Sequence, residues 1–245
     1  MKTLWKMTVV EAKLFLREPA GVFFTLAFPV MILLLFSGIF GNEPVPGMPG
    51  VRAVDVQAPG YATMVIGTVA LIGLPVTLAS YRQQGILRRM RATPLHPSTI
   101  LAAQVLVNLV MTILGITLLL LTARFIYGMT LPDAPLSVTL AFILASLSFF
   151  AIGFVLAGLF SSARTAQIVG QVVYFPMLFL SGAILPREMF PDLIKRVSDF
   201  LPLTYVVELV QDLWLEGTWN LTALAVLTGV LIVAVAVSTR TFRWE

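Results

Sequence analysis

The sequence predicts an all-α integral membrane protein in which six helices cross the bilayer. Six stretches of at least about twenty residues contain no Asp, Glu, Lys or Arg, and a helix of this length spans the hydrocarbon core. One Arg or Lys at the bilayer centre costs roughly 2.5–3.5 kcal/mol. The composition agrees, since 58% of the 245 residues are hydrophobic and 11% are charged. The charge-free stretches are 19–42, 56–81, 92–123, 134–163, 165–186 and 217–239.

Within these stretches the transmembrane helices are expected at 20–41, 60–81, 98–122, 136–161, 165–185 and 218–239. An interfacial helix is expected at 1–18, a cytoplasmic connection at 84–97, and outer re-entrant or interfacial helices at 187–216. These segments fill the chain and leave no room for a separate soluble domain. The sequence therefore predicts one membrane domain over residues 1–245.

The basic residues are distributed unevenly between the two sides of the predicted bundle. Eleven of the 16 Lys and Arg residues fall on the side that carries both termini, whereas nine of the 12 acidic residues fall on the other side. Loops rich in Lys and Arg stay in the cytoplasm. Both termini are therefore predicted to be cytoplasmic, and the basic pI is explained as an orientation signal rather than as a nucleic-acid interface.

The first eighteen residues have the pattern of an amphipathic helix on the inner membrane surface. One helical face carries Leu4, Trp5, Val9, Ala12 and Leu16, and another carries Lys2, Lys6, Lys13 and Arg17. A plain basic flank that orients the first span is the alternative. The first apolar run is too long for the h-region of a cleavable signal peptide, so the first span is expected to stay in the mature protein.

Prolines mark one loop and three expected kinks. Residues 42–60 contain four Pro and three Gly, so this first outer segment is expected to be an irregular loop or a short extended piece and not a helix. Pro29, Pro75 and Pro176 fall inside predicted spans, where neighbouring helices and waters can satisfy the freed carbonyls. Local kinks are expected at these three positions.

The connection after the second span holds the densest cluster of charge in the chain. Arg82, Arg88, Arg89 and Arg91 lie within ten residues. Gly85 can end the preceding span, residues 86–92 can form a short helix, and the prolines that follow can end it. An ordinary positive-inside loop is the alternative, and charge alone does not separate the two interpretations.

The longest outer segment lies between the fifth and sixth spans and predicts two short amphipathic helices. The first has Met189, Phe190, Leu193, Ile194 and Val197 on one face, and the second has Val206, Val207, Val210 and Leu213 on one stripe. Both helices are expected to lie on or dip into the outer leaflet. They would cap a path between the spans, with Met189, Phe190, Leu193, Pro202, Tyr205 and Glu208 as the candidate outer gate.

Several motifs, in this order, resemble the permease subunits of type-2 ATP-binding-cassette exporters, especially drug-resistance exporters of the daunorubicin-exporter kind. Residues 85–97 read Gly-Ile-Leu-Arg-Arg-Met-Arg-Ala-Thr-Pro-Leu-His-Pro. Residues 179–186 read Phe-Leu-Ser-Gly-Ala-Ile-Leu-Pro, and residues 201–208 read Leu-Pro-Leu-Thr-Tyr-Val-Val-Glu. With the amphipathic N-terminus and six spans, the similarity covers essentially the whole chain.

The resemblance implies a role for each of these segments. Residues 84–97 would form a coupling region seated in a cleft of a separate ATPase subunit, present in two copies, and residues 3–18 would be the connecting helix beside that contact. The coupling residues would be Gln84, Gly85, Leu87, Arg88, Arg89, Met90, Arg91, Thr93 and Pro94. This chain departs from many relatives at Gln83, Gln84 and Ile86, so its docking contacts are expected to be less charged on that side.

The sequence predicts that the chain carries no catalytic residue, cofactor or metal of its own. A phosphate-binding Gly-x-x-x-x-Gly-Lys-Ser/Thr loop needs a Lys after its last Gly, and none of the four lysines has that setting. ATP and Mg²⁺ would bind the partner subunit. The chain has no cysteine, and its lone His96 lies in a loop between prolines, where a surface residue is the expected interpretation.

Polar and aromatic side chains inside the spans are the candidate lining of a transport path. They are Gln104, Asn108, Gln167, Gln171, Tyr174, Phe175 and Phe179, with Phe149 and Phe150 as further aromatic surface. Hydrogen bonding between helices is the alternative role for the polar members. Small residues at Gly153 and Ala157, and at Ala166 and Gly170, permit close helix approach, either between subunits or within one.

The expected function is therefore that of a permease subunit in the plasma membrane of a prokaryote, exporting an amphipathic drug-like or lipid-like substrate. Six helices seldom enclose a path for such a molecule, so a second copy or a paralogue is expected to complete it. The alternatives are a permease for lipid-linked glycan or ions, an ATP-independent secondary transporter, and a membrane scaffold. The secondary transporter is disfavoured because the predicted spans contain no acidic residue.

Overall fold

The computed structural model describes residues 2–45, 50–86, 89 and 97–241. Apart from one isolated bridge between Pro44 and Arg52, the regular structure in these residues is helical. The all-α membrane fold predicted from the sequence is confirmed.

The described residues form nine helices, which are numbered in chain order. They are α1 (Lys2–Leu16), α2 (Pro19–Val22, the π turn Phe23–Ala27, and Phe28–Phe40), α3 (Ala53–Thr68, the π turn Val69–Gly73, and Leu74–Gln83), α4 (Pro97–Tyr127), α5 (Pro135–Leu159), α6 (Ala163–Leu180), α7 (Asp192–Ser198), α8 (Pro202–Leu215) and α9 (Leu221–Thr241). A 3-10 turn, Arg187–Met189, precedes α7. The two amphipathic helices predicted in the outer segment correspond to α7 and α8.

Among the described residues, five helices are long and apolar enough to cross a membrane, namely α2, α3, α4, α5 and α9. The remaining predicted span, 165–185, corresponds to α6, which has 18 residues. It begins beside the last turn of α3, where Gln83 Oε1 accepts a hydrogen bond from the Ala163 N–H at 3.2 Å. The chain just after the far end of α6 packs against the outer half of α3. A Cβ atom at Gly60 of α3 would lie only 2.7 Å from the Ala183 carbonyl oxygen. Thus α6 runs between the same two ends as the longer helices.

We call the end of the bundle that carries α1 the inner end, following the charge-based prediction, and the opposite end the outer end. Tyr81 at the end of α3 donates a hydrogen bond to Glu11 of α1. Arg82 Nη1 donates to the Phe160 carbonyl just after α5. The last turn of α9 lies there too, since a Cβ at Gly158 would be 3.1 Å from the Thr241 carbonyl oxygen. The helices nearest the two termini therefore share the inner end.

Helix α3 occupies the centre of the bundle. In its most apolar 18-residue stretch 72% of the residues are buried, against 22% in α2 and 17% in α9. Its large side chains Tyr61, Met64, Ile66 and Leu71 have almost no exposed surface. The helices around it keep apolar faces exposed, as expected of surfaces that contact lipid tails.

Two of the predicted kinks are π turns placed just before a proline. The turn Phe23–Ala27 precedes Pro29, and the turn Val69–Gly73 precedes Pro75. A proline has no N–H to donate to the carbonyl four residues earlier, which here belongs to Thr25 and to Leu71. The wider turn accommodates the ring without ending the helix.

Glycines of neighbouring helices pack against the carbonyls at these two turns. A Cβ at Gly115 of α4 would lie 2.7 Å from the Thr25 carbonyl oxygen, and a Cβ at Gly170 of α6 would lie 2.3 Å from the Leu71 carbonyl oxygen. At Gly153 of α5 the corresponding distance to the Ala70 carbonyl oxygen is 2.2 Å. Only a residue without a side chain allows the backbones to approach this closely. The glycines at 153 and 170 therefore pack within one subunit, which was one of the two predicted alternatives.

The first outer segment differs from the sequence-based expectation. Residues 53–60 were expected to form an irregular loop, but α3 begins at Ala53 and continues through Pro59. The start of the helix is fixed by Asp55, a fully buried carboxylate that accepts a hydrogen bond from the Arg52 N–H at 2.8 Å. This capping arrangement outweighs the local proline content.

Asp55 also bonds the connection between α4 and α5. Its Oδ1 accepts hydrogen bonds from the Thr130 N–H at 2.6 Å and from the Thr130 hydroxyl at 2.8 Å. The Thr130 carbonyl in turn accepts from Trp214 Nε1 of α8 at 3.3 Å, and Gln211 Nε2 donates to the Val56 carbonyl at 3.0 Å. The outer end of α3 is thereby tied to the α4–α5 connection and to α8.

Helix α1 packs along α4 and also exposes apolar surface. Glu11 is buried on the packed face, whereas Trp5 and Leu16, from the predicted apolar stripe, are 70% and 58% exposed. An exposed Trp on a helix at the inner end suits the level of the lipid headgroups.

The glycine contacts give the first prediction. Gly153→Ala and Gly170→Ala place a methyl group against a backbone carbonyl, so each should lower the free energy of unfolding by about 1–3 kcal/mol through overpacking. The measurement is thermal unfolding of the purified protein in detergent. Gly229→Ala is the matched control, because no atom lies within 4 Å of the added Cβ. Equal stability of all three variants would contradict the packing.

Candidate functional site

A cleft begins at the inner end between α1, α3 and α4 and continues into the bundle between α2 and α6, with α3 as its floor. It consists of a lower cavity of about 330 Å³ and an upper cavity of about 160 Å³. Both cavities are bordered by Phe15, Glu18, Val76, Thr77 and Asn108, so they lie next to each other. The cleft begins beside Gln84 and Ile86 and reaches Tyr174 near the middle of α6.

Most of the predicted path residues border this cleft. Asn108, Gln167, Gln171, Tyr174 and Phe175 line the upper cavity, and Gln104 and Asn108 line the lower one. Phe179 borders neither cavity and is exposed on the outside of α6. Phe149 and Phe150 are fully buried in the core and present no open aromatic surface.

Tyr174 joins the wall of the cleft to its floor. Its hydroxyl donates a hydrogen bond to the Met64 carbonyl at 3.0 Å and accepts one from the Thr68 hydroxyl at 3.0 Å. The ring lies against Gly67, where a Cβ would be 2.4 Å from a ring carbon. Tyr174 therefore holds α6 against α3, and part of its surface faces the upper cavity.

Asn108 of α4 offers an open acceptor to the cleft. It is 5% exposed, and its Nδ2 donates to the Gln104 carbonyl at 2.8 Å. Its Oδ1 accepts no hydrogen bond from a described residue. Gln104 is similarly buried, and its Nε2 has no hydrogen-bond partner of ordinary geometry in the part of the chain that the structure describes. A buried amide with an open donor or acceptor suits a space that is hydrated or occupied.

Glu11 was not recognised as a candidate from the sequence. Its Oε2 accepts a hydrogen bond from the Tyr81 hydroxyl at 2.5 Å, and it borders the lower cavity. Burial raises the pKa of Glu11 above its ordinary value of 4.5. The available signal was the seven-residue spacing of Glu11 and Glu18, which is two helical turns and places both carboxylates on one face.

The predicted coupling region is described only in part. Leu87, Arg88, Met90, Arg91, Thr93 and Pro94 lie outside the described residues. Gly85 has φ 64°, a left-handed conformation that ends α3 where the sequence predicted a break. Gln84 Nε2 donates to the Ser80 hydroxyl at 2.9 Å, and Arg89 Nη2 donates to the Gln84 carbonyl at 3.0 Å. The region thus starts at the mouth of the cleft.

At the outer end, Arg187 holds the connection after α6 against α7 and α8. It pairs with Asp199 at 2.5 Å and also with Glu208. Tyr205 donates from its hydroxyl to the Asp199 carbonyl at 2.8 Å. Of the other candidate gate residues, Met189 and Leu193 are both 74% exposed, Phe190 is partly buried, and Pro202 begins α8. The cluster therefore combines the ion pairs of Arg187 with the exposed apolar side chains of Met189 and Leu193.

A comparison with models of known protein families matches most of this chain. A family model described as ABC-2 type transporter matches residues 2–215. The chain belongs to the ABC-2 type transporter family. The match includes α1 to α8 and therefore both walls and the floor of the cleft.

Three relatives of this ABC-2 chain are named as transport permeases. It is 26% identical to the putative transport permease YvfS of Bacillus subtilis over 82% of this chain and 81% of that protein. It is 24% identical to the putative transport permease ycf38 of Porphyra purpurea, over 84% and 72%. It is 22% identical to the probable multidrug ABC transporter permease YbhS of Escherichia coli over 76% of this chain, which spans about half (49%) of that protein.

The raised pKa of Glu11 gives a second prediction. Because the folded state holds the proton of Glu11 more tightly than the unfolded state, stability falls as pH rises from about 4.5 through the raised pKa. The Gln side chain of Glu11→Gln can still accept the hydrogen bond from Tyr81 but cannot ionise. The melting temperature of this variant should therefore not show the decrease with rising pH that Glu11 causes. Glu43→Gln, at an exposed outer position, should keep it. The measurement is thermal unfolding between pH 4.5 and 8, and identical slopes would contradict the assignment.

The outer ion pairs give a third prediction. Arg187→Met removes the contacts with both Asp199 and Glu208, which should loosen the segment by about 1–2 kcal/mol and speed backbone hydrogen exchange in α7 roughly tenfold. Arg196→Met removes an exposed arginine on the same helix and is the control. Unchanged exchange in Arg187→Met would show that the ion pairs do not hold the segment.

Proposed function

We propose that this ABC-2 chain is the transmembrane permease subunit of an exporter that moves amphipathic drug-like or lipid-like molecules. A separate ABC ATPase subunit, in two copies, supplies the energy. The observation that carries the proposal is the cleft, which begins beside Gln84 at the inner end and extends between α2 and α6 to Tyr174. Amide groups and aromatic rings line it, a combination that suits an amphiphile.

A second copy, or a related chain, completes the path. Sites for drug-sized ligands usually measure roughly 300–1,000 Å³, so the upper cavity of about 160 Å³ is too small by itself. Beside it, α6 exposes Ile168, Val172, Phe175 and Phe179 in one stripe. Contact of this stripe with a partner helix would bury the aromatic edges and join two clefts. Closed twofold symmetry is the commonest way to achieve such an arrangement.

Coupling to the ATPase follows from the central position of α3. The region that begins at Gln84 continues directly from α3, and α3 contacts the α6 wall of the cleft through its π turn. We propose that ATP binding closes the ATPase dimer, displaces this region and tilts α3, so that the cleft exchanges an inner or lipid-facing opening for an outer one. Hydrolysis returns the assembly to its starting state.

The positions of the charged groups favour an ATP-driven permease over an ATP-independent secondary transporter. Such transporters use ionisable groups near the bilayer midplane. In the described part of the chain the buried carboxylates Asp55 and Glu11 lie at the outer and the inner end, respectively. A permease for lipid-linked glycan or ions remains the second candidate, but the aromatic lining supports an apolar substrate body. The proposed location is the plasma membrane of a prokaryote, with both termini cytoplasmic.

The fourth prediction tests the ATPase contact. Replacing Arg88, Arg89 and Arg91 by Glu reverses three charges in the coupling region and should abolish co-purification of an ABC ATPase with the tagged chain from its native membrane. Reversal of Lys195 and Arg196 in the outer segment is the control and should leave co-purification intact. Normal membrane insertion of both variants is checked first.

Retention of the ATPase and of ATP-driven transport in the coupling variant would contradict the proposed contact. Absence of any ABC ATPase from preparations of the unaltered chain would contradict the permease proposal itself. The natural sequence lacks cysteine, so single introduced cysteines can verify insertion by labelling from either side of the membrane.

A further inference from the structure

We infer that a groove between α5 and α9 binds one acyl chain of an anionic phospholipid of the inner leaflet, with the phosphate of this lipid on Arg240. The inference goes beyond the proposed function, because the groove shares no lining residue with the cleft and needs neither an exported substrate nor an ATPase. It is supported by the lining of the groove, by the depth of the groove in the bilayer and by the arginine at its end.

The lining of the groove is aliphatic throughout. The groove has a volume of about 490 Å³, and residues of α5 and α9 alone line it. Ile152 and Val155 form the α5 side, and the α9 side consists of valines, one alanine and Gly229. The groove is open on its outer face, because no atom lies within 4 Å of a Cβ added at Gly229 and Val233 is 62% exposed. These side chains offer van der Waals contact without a hydrogen bond, which suits a hydrocarbon chain.

The position of the groove along α9 matches one leaflet of the bilayer. On α9 its lining extends from Val226 to Val237. At 1.5 Å per residue this length is about 16 Å, roughly half of the 30 Å hydrocarbon core. Since α9 ends at Thr241, at the inner end of the bundle, the groove lies in the inner half of the membrane. An acyl chain of an inner-leaflet lipid extends over this same depth, from its headgroup to the midplane.

A basic side chain lies where the headgroup of such a lipid would be. The α9 stripe along the groove follows the helical spacing of four and three residues, and its members are Val226, Val230, Val233, Val237 and Arg240. Arg240 lies in the last turn of α9, about 4.5 Å further along the helix axis than Val237. It is exposed and forms no ion pair with a described residue. A guanidinium binds a phosphate through two parallel N–H donors, so the charges of this end and of an anionic headgroup are complementary.

The headgroup contact is what makes the groove selective. An acyl chain that enters the groove leaves other lipid tails, so the hydrophobic effect contributes little and close packing gives only a modest preference. A basic residue at the membrane surface attracts an anionic headgroup more strongly than a zwitterionic one. The groove should therefore prefer phosphatidylglycerol to phosphatidylcholine.

A second copy of the chain fits this groove less well than a lipid does. A transmembrane helix of a partner crosses both leaflets, whereas the groove occupies one. The exposed stripe that the proposed function assigns to a partner lies on a different helix, α6. We therefore assign the groove to a lipid chain, and the experiment includes a readout for a second copy.

Photolabelling in phosphatidylcholine nanodiscs tests the inference on the purified chain. Phosphatidylglycerol or phosphatidylcholine with a diazirine in the middle of one acyl chain is added at the same low fraction, and labelled residues are identified by mass spectrometry. Phosphatidylglycerol should label Val233 and Val237 about fivefold more than phosphatidylcholine does, the effect expected of one basic side chain near the headgroup. Leu106 and Val110, exposed on the inner half of α4, are the internal reference and should show no such preference.

Two pairs of variants separate the headgroup contact from the groove. Arg240→Gln should remove the preference for phosphatidylglycerol without reducing labelling by phosphatidylcholine. Arg17→Gln, which changes an exposed arginine at the inner end beside α1, is its control and should keep the preference. Gly229→Leu fills the groove and should lower labelling by both lipids. Its control, Val235→Phe, adds the same number of side-chain atoms to another face of α9 and should not lower it.

Equal labelling of the groove by the two lipids, or a preference that survives Arg240→Gln, would overturn the inference. An unlabelled groove in a dimer that Gly229→Leu dissociates would also overturn it, because a second copy would then cover this face. If Gly229→Leu does not fold, Arg240→Gln decides the question, since this exposed side chain is not part of the core. No ATPase or nucleotide enters the experiment, so its failure leaves the permease proposal intact.

Discussion

The close contact between glycines and backbone carbonyls at the proline-associated π turns is the constraint on which the bundle depends. Pro29 and Pro75 cannot donate to the carbonyls of Thr25 and Leu71, and a glycine of a neighbouring helix packs against each of these carbonyls. The same device therefore joins α2 to α4 and α3 to α6. In a bilayer, where helix association gains little from the hydrophobic effect, close packing of this kind is a principal source of affinity between helices.

This arrangement gives α3 its place in the mechanism. The helix is buried at the centre, hydrogen-bonded at its outer end through Asp55, and bonded at its inner end through Tyr81. The cleft lies against its inner half, and its upper cavity borders the π turn itself. A π turn interrupts the regular hydrogen-bond ladder, so it is a natural position for α3 to bend. A displacement of the region after Gln84 would then change the width of the cleft, while the outer end stays anchored.

The sequence predicted the elements that depend on local pattern. Charge-free length located the long helices, the spacing of Val206, Val207 and Val210 predicted an amphipathic helix where α8 lies, and Gly85 marked the end of α3. Polar residues within apolar spans, such as Asn108 and Gln171, lie at the cleft, and their role in lining a transport path stays a prediction. Each of these signals lies within a few turns of one helix.

The features that the sequence did not predict depend on contacts between distant segments. The helical start at Ala53 depends on Asp55 and its bonds with Thr130, 75 residues away, and these outweigh the high proline content nearby. The role of Glu11 depends on Tyr81, and the burial of Phe149 depends on which face of α5 meets the core. A pattern within one segment carries no information about which partner lies opposite.

The most direct test of the account is the accessibility of a single cysteine at position 171, within the cleft, to a membrane-impermeant thiol reagent. In the complex with its ATPase and without nucleotide, the account predicts that Gln171→Cys reacts from the inner side and is protected from the outer side. With ATP trapped in the ATPase the protection should reverse, while a cysteine at Gly229, on the exposed side of α9, should behave identically in both states. Reactivity of position 171 that does not change between these states would contradict the proposal that this cleft is the path and that ATP drives its opening.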